Sequence, residues 1–138
     1  MDWYSRKILS WELSNSLDKH FCMDALRRAM RVYETPEYFN TDQGAQFTSP
    51  RFTEILEKEN VKISMNGKNR AVDNIVIERY WRTLKYDEIY LKDYESMKEA
   101  KESIRVYMGI YNSVRPHASH GGKTPDEVYV NKRGHKAA

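Results

Sequence analysis

Apolar and polar residues first alternate regularly at residues 7–14, with Leu9, Trp11 and Leu13 on one side and Ile8, Ser10 and Glu12 on the other. That period of two predicts a half-buried strand. Upstream, Asp2-Trp3-Tyr4-Ser5-Arg6 reads as the end of a partner strand turning into it. The period then lengthens: Cys22, Leu26, Ala29 and Tyr33 share one helical face, with Asp18 as N-cap and Pro36 ending the segment. Tyr38-Phe39 predicts a short buried strand with Asp42 at its C-terminal end. Ser49-Pro50 reads as N-cap and first residue of a helix edged by Phe52, Ile55, Leu56 and Glu59, and Val61–Met65 alternates as another strand. After the polar loop Asn66–Arg70, one helix is predicted from about Val72 to Tyr86. A second runs from about Ser96 to Tyr111, with Met97, Ala100, Ile104, Tyr107 and Met108 in phase. From Asn112 onward Pro116, Gly121-Gly122 and Pro125 predict irregular chain with a short helix at Asp126–Val130, and residues 131–138 read as a flexible tail. This order of elements predicts an α/β layered domain with a mixed sheet.

Composition narrows the class. A chain of 138 residues is one domain's worth, and 40% hydrophobic with 31% charged residues is a globular balance. No apolar run approaches the roughly 20 residues that cross a bilayer, and Asp2, Arg6 and Lys7 break any secretory pattern, so a cytoplasmic protein without membrane contact is expected. Cys22 is the sole cysteine, which excludes an internal disulfide and argues against a cysteine-based zinc site. The net charge of +3 is unevenly placed: residues 1–60 carry 8 basic against 10 acidic residues, and residues 61–138 carry 15 against 10. The second half is the better match to a polyanion, although solvated lysine-rich helices show the same bias.

The candidate chemistry rests on Asp42 and Glu78, with 35 residues between them. Placing residues about 100° apart on the helix from Val72 sets Asn74, Glu78, Arg82 and Lys85 in one narrow arc, opposite Val76, Ile77, Tyr80 and Leu84. Each acid has a plain structural alternative. Glu78 can pair with Arg82 one turn on, and Asp42 before Gln43-Gly44 can accept local backbone N–H bonds in a turn. Together they admit another reading, because Mg²⁺ needs only one or two protein carboxylates besides phosphate oxygens and water. Two such ions support phosphoryl transfer. Tyr80 and Trp81 read as packing residues.

The residues around both acids resemble a known family. Asp42 with Gln43, Gly44, Gln46 and Phe47, and Glu78 with Arg79, Trp81, Arg82, Leu84 and Lys85, are similar to the integrase core of bacterial insertion-sequence DDE transposases, a retroviral-integrase-like domain of ribonuclease-H-like fold. Asp2–Lys7 resembles that family's hairpin between the second and third strands. Tyr111-Asn112, Arg115-Pro116-His117, Gly121-Gly122 and Thr124-Pro125 resemble its C-terminal signature, so the likeness covers about residues 2–130. The resemblance implies a ribonuclease-H-like mixed sheet flanked by helices. It implies an Asp, Asp, Glu site that binds Mg²⁺ or Mn²⁺, cuts transposon ends and joins a 3′-hydroxyl to target DNA. Asp42 takes the second place and Glu78 the third. The first acid belongs on a strand before the hairpin, so the core is expected to be N-terminally truncated, and Asp2 is not assigned that place. Lys68, Arg70, Arg79, Arg82 and Lys85 are the expected DNA contacts, with Gln43, Gly44, Asn74 and His117 beside the site.

Two functions from different classes follow. One is a transposase core acting on DNA by metal-dependent phosphodiester cleavage and strand transfer, incomplete and inactive alone for want of the first Asp. The other is an inactive remnant that binds DNA or oligomerises. A third, plainer reading leaves the acids in surface ion pairs. An unpaired sheet edge implies a homodimer or higher oligomer, DNA is the expected partner rather than a small molecule, and the setting is the bacterial cytoplasm at the nucleoid.

Overall fold

A computed structural model of the chain describes residues 1–16, 18, 20–65 and 75–136, with side chains described through residue 132. The chain divides into two compact units. One is Ser10–Glu78, and the other joins Met1–Leu9 to Arg79–Ala138.

The unit Ser10–Glu78 contains α1 (His20–Val32), β1 (Tyr38–Thr41), α2 (Ala45–Thr48), α3 (Pro50–Lys58), β2 (Lys62–Met65) and the start of α4 (Ile75–Asp87). Asp18 Oδ1 accepts the N–H of His20, the first residue of α1, at 3.0 Å. Pro50 opens α3 directly after Ser49, where its missing N–H costs nothing. Met23 and Leu26 of α1 bury against Phe52 and Leu56 of α3 and against Val61, and Leu56 is fully buried. The Phe39 and Phe47 rings flank Phe52 at 5.8 and 5.3 Å. Asn60 turns α3 into β2 with a left-handed φ of 56°, a conformation Asn tolerates better than most residues. The two strands then pair in parallel from Tyr38 with Lys62 to Thr41 with Met65. Parallel pairing needs a long crossover, and α3 supplies it.

The second unit holds the rest of α4, a 3-10 turn at Ile89–Leu91, α5 (Met97–Ser113), a 3-10 turn at Ala118–His120 and α6 (Pro125–Lys136). Ser96 caps α5 by accepting the N–H of Glu99 at 3.1 Å. Thr124 and Glu127 cap α6 reciprocally: Thr124 Oγ1 accepts the Glu127 N–H at 3.3 Å, and Glu127 Oε2 accepts the Thr124 N–H at 2.7 Å. Buried Tyr80 and Leu84 of α4, Ala100, Ile104, Met108 and Tyr111 of α5, and Tyr129 of α6 supply its apolar interior. The N-terminal turn closes through Asp2 N–H to Lys7 carbonyl at 2.8 Å, with Arg6 at φ 65°. Asn112 then acts as a one-residue neighbour to the chain that leaves the turn. Its amide accepts the Ile8 N–H and donates to the Ile8 carbonyl, each at 2.9 Å.

Three expectations are corrected. Among the described residues, 7–14 lie in no strand ladder, and Ile8 is buried while Leu9, Trp11 and Leu13 are half-buried. Alternation reports which side is apolar, not whether a neighbour strand pairs, and here a side-chain amide takes both backbone groups of Ile8. The final helix is longer than Asp126–Val130 and runs through Lys136. Trp81 does not pack inside as Tyr80 does: Tyr80 is 4% exposed and Trp81 48%. Among the described residues no helix is long and apolar enough to cross a membrane.

Glu88, just after α4, is the second unit's buried carboxylate, 4% exposed. Lys92 lies 3.0 Å from it, Tyr94 donates at 2.9 Å, and Ser103 of α5 donates a short hydrogen bond. Burial works to raise the pKa of Glu88, but the hydrogen bonds from Ser103, Lys92 and Tyr94 and the Lys92 charge outweigh it and leave it below the ordinary value. A carboxylate depressed in the folded state stabilises above its unfolded pKa, and that contribution is lost as pH falls through the folded pKa. Glu88→Gln is therefore expected to destabilise by about 1–3 kcal/mol at neutral pH. Chemical denaturation across pH should show the gap to wild type shrinking below about pH 4; a pH-independent gap would contradict a charged Glu88.

Candidate functional site

Asp42 leaves the C-terminal end of β1 with an exposed side chain. Its Oδ1 accepts the N–H of Gly44 at 2.8 Å, so the local turn expected of Asp-Gln-Gly forms. That bond orients the carboxylate, and among the described residues the second oxygen has no hydrogen-bond partner. Gly44 is favoured here by space rather than by backbone angle, since its φ is −57°. A Cβ at this position would stand 2.8 Å from Asp42 Oδ1 and 3.1 Å from the Gln46 amide. Beneath the turn Thr41 is buried, and Asn40 donates to Ser64 Oγ across the strand pair at 3.3 Å.

Thr41 pairs with Met65, so β1 and β2 end at the same edge of the sheet. The chain from β2 leads to α4, where Glu78 stands in the first turn with its side chain exposed. The ion pair with Arg82 does not form: among the described residues no cation lies within 4.0 Å of Glu78. Arg82 instead places its guanidinium 5.8 Å from the centre of the Tyr86 ring. Arg79, Arg82 and Lys85 are all exposed on α4. Lys68, Arg70 and Asn74 lie outside the described residues, and Gln43 is exposed beside Asp42.

His117 sits in the second unit, edge-on to the Tyr111 ring at 5.0 Å and 5.9 Å from the His120 ring. Burial lowers its pKa, and His120, Arg115 and Arg6 lower it further. Both ring contacts are with residues of the second unit. Asp2 is also committed elsewhere, since its carboxylate accepts the N–H and Oγ–H of Ser5 at 2.9 and 2.6 Å and faces Lys132 at 3.2 Å. Among the described residues no three His, Cys, Asp or Glu side chains converge to hold a metal ion. Asp42 and Glu78 nonetheless suit a hard divalent cation as oxygen donors that no ion pair among the described residues consumes. Tyr86 and Tyr90 escaped the sequence reading. Tyr86 lies one turn beyond Arg82, where the wheel already places solvent.

Integrase core domain models match residues 1–71 and residues 59–125. The chain belongs to the integrase core domain family. Among curated relatives, the transposase for insertion sequence element IS904 of Lactococcus lactis is 31% identical over 130 residues, covering 92% of this chain and 51% of that protein. Transposase InsF for insertion sequence IS3A of Escherichia coli K12 is 27% identical over 130 residues, covering 92% and 45%. The integrase core thus spans about half the length of the curated relatives it matches. Among solved structures, the catalytic core domain of BIV integrase aligns with a TM-score of 0.77 at 21% identity over 99% of this chain and 86% of that one. The HTLV-2 integrase catalytic core domain in complex with magnesium, in its dimeric form, aligns at 0.65 and 21% identity over 86% and 74%. The expected fold class holds: this integrase core has the mixed α/β, ribonuclease-H-like fold of the retroviral integrase catalytic cores.

Gly44→Ala separates site geometry from stability. The added methyl must displace the Asp42 carboxylate or the Gln46 amide, both at the exposed turn, so the midpoint of thermal unfolding should move by less than about 5 °C. Mn²⁺ affinity measured by calorimetry should fall. Unchanged affinity would mean that the turn does not position Asp42.

Proposed function

We propose that this domain acts in DNA transposition by metal-dependent phosphodiester cleavage and strand transfer, with Asp42 and Glu78 as two of the metal ligands. The observation that supports it most is the state of the two carboxylates. Asp42 is oriented by one backbone N–H at the end of β1, and Glu78 stands exposed on α4 without an ion pair among the described residues. Mg²⁺ or Mn²⁺, when bound, supplies activation of the attacking oxygen and stabilisation of the leaving one. The Gly44 N–H fixes the direction in which Asp42 offers its outer oxygen. Arg79, Arg82 and Lys85 present three cations along α4, which can neutralise backbone phosphates on the helix that carries Glu78. Lys68 and Arg70 extend that basic run in the sequence. The substrates in this reading are transposon ends and target DNA in the bacterial cytoplasm, and the working state is a dimer or higher oligomer.

A second reading, a DNA-binding or oligomerisation module without turnover, is favoured by the lack of a three-acid cluster among the described residues. Labelled transposon-end DNA incubated with the protein and Mn²⁺ separates the two. Cleavage or joining that Asp42→Ala and Glu78→Ala each abolish is the expected result. DNA and metal binding without turnover would support the module, and the absence of both would overturn both readings.

The basic face makes a separate expectation. Affinity for duplex DNA should fall with salt, and neutralising Arg79, Arg82 and Lys85 together should flatten the log–log slope by roughly 0.9 for each phosphate that these cations neutralise. A slope unchanged in the triple variant would move the DNA-binding surface elsewhere.

A further inference from the structure

The loop that joins α5 to α6 closes on itself. His117 N–H donates to the Lys123 carbonyl at 3.1 Å, and Gly122 N–H donates back to the His117 carbonyl at 3.0 Å. Gly121 and Gly122 make the reversal at left-handed φ values of 61° and 82°, where a glycine costs little. The closure delivers Thr124, which caps α6, and Pro125, whose side chain is fully buried. His117 stands at the closing point. Its Nε2 and that of His120 are both buried, and among the described residues neither has a hydrogen-bond partner. Tyr111 of α5 meets the His117 ring edge-on, His120 lies across the loop, and Arg115, just after α5, and Arg6, in the N-terminal turn, add their charges. Arg115 is itself tied to Asp87 at the end of α4. Among the described residues no carboxylate lies within 4.0 Å of either imidazole.

A neutral imidazole carries one N–H, whereas an imidazolium carries two, and each needs an acceptor or water when buried. The closed loop gives His117 Nε2 neither, and the added charge would face two guanidinium groups. Opening the loop removes both penalties by hydrating the ring. We propose that the segment 117–123 is a proton-operated latch, closed while the His117 ring is neutral and opened when that ring takes a proton. The direction of its pKa agrees: burial first, then His120, Arg115 and Arg6, hold it below the ordinary histidine value. The opened loop therefore binds the proton more tightly than the closed one, and opening is favoured as pH falls below about 6.5. What the latch controls is the seating of Pro125 and the first turn of α6.

Amide hydrogen exchange followed by NMR on the full chain, with rates corrected for their intrinsic pH dependence, tests it between about pH 7.5 and about pH 5.5. Protection of the His117 and Gly122 amides should fall about tenfold across that range, while the Ile104 amide in the middle of α5 moves less than about twofold. His117→Phe keeps a ring against Tyr111 and cannot titrate, so its loop protection should hold. Wild-type protection that does not change with pH would overturn the latch. An equal acid loss in His117→Phe, or a parallel loss at Ile104 that marks loosening of the whole unit, would overturn it as well. Titration of the His117 ring in the wild type, followed through its Cε1 proton, decides the matter even where the variant fails to fold. A midpoint below about 6.5 is expected, and one at or above that value would contradict the proposal.

Discussion

The proposed chemistry depends on the register of two four-residue strands. β1 and β2 run parallel with Thr41 opposite Met65, so the turn that holds Asp42 and the chain that leads to Glu78 leave one edge of the sheet. Open α/β sheets commonly bind ligands outside the carboxyl ends of their strands, where chain departing from both strands can converge. A slip of one residue would exchange the faces of β2 and take Ile63 away from the core. Register is therefore set by the same apolar contacts that build the interior. Phe52 and Leu56 of the crossover helix, pressed between the Phe39 and Phe47 rings and the Met23 and Leu26 side, allow the strands little freedom.

Around this pair the integrase core divides its labour between apolar and polar contacts. In the unit Ser10–Glu78 the contacts that matter are apolar, and the exposed acids lie at its margin. In the other unit a buried polar group does comparable work: Glu88 ties the turn after α4 to α5 through Ser103, Lys92 and Tyr94. Asn112 serves the backbone of Ile8 in a similar way, meeting one donor and one acceptor that a sheet neighbour would otherwise satisfy. Tyr80 shows the opposite solution, a buried hydroxyl that donates to the Met108 sulfur, a weak acceptor, and burial pushes its pKa far up.

Much of this was legible in the residues. Helical phase placed Leu26, Leu56, Leu84 and Ile104 inward, because a stripe at that spacing has no other way to leave water. Asp18, Ser49-Pro50 and Ser96 marked helix starts through chemistry local to a few residues. Where the reading failed, the deciding partner was remote. Residues 7–14 have a strand-like alternation, but pairing belongs to a neighbour, and the group facing Ile8 is Asn112 from the far end of the sequence. The final helix is the instructive exception, since Thr124-Pro125-Asp126-Glu127 carries a local capping signal with proline at the first helical position, and Gly and Pro nearby drew the reading toward irregular chain. At the site, motif resemblance named Asp42 and Glu78, whereas the tight approach of Gly44 to the Asp42 carboxylate and the exposure of Trp81 are properties of coordinates that a pattern of types does not contain.

The central claim is that Asp42 and Glu78 serve one divalent cation site, and Mn²⁺ located by anomalous diffraction from soaked crystals tests it most directly. The account predicts an anomalous peak at metal–oxygen distance, about 2.0–2.3 Å, from an Asp42 carboxylate oxygen, with Glu78 turned toward the same ion or its partner. A peak seated away from both carboxylates, or Mn²⁺ absent from Asp42 at saturating concentration, would contradict it.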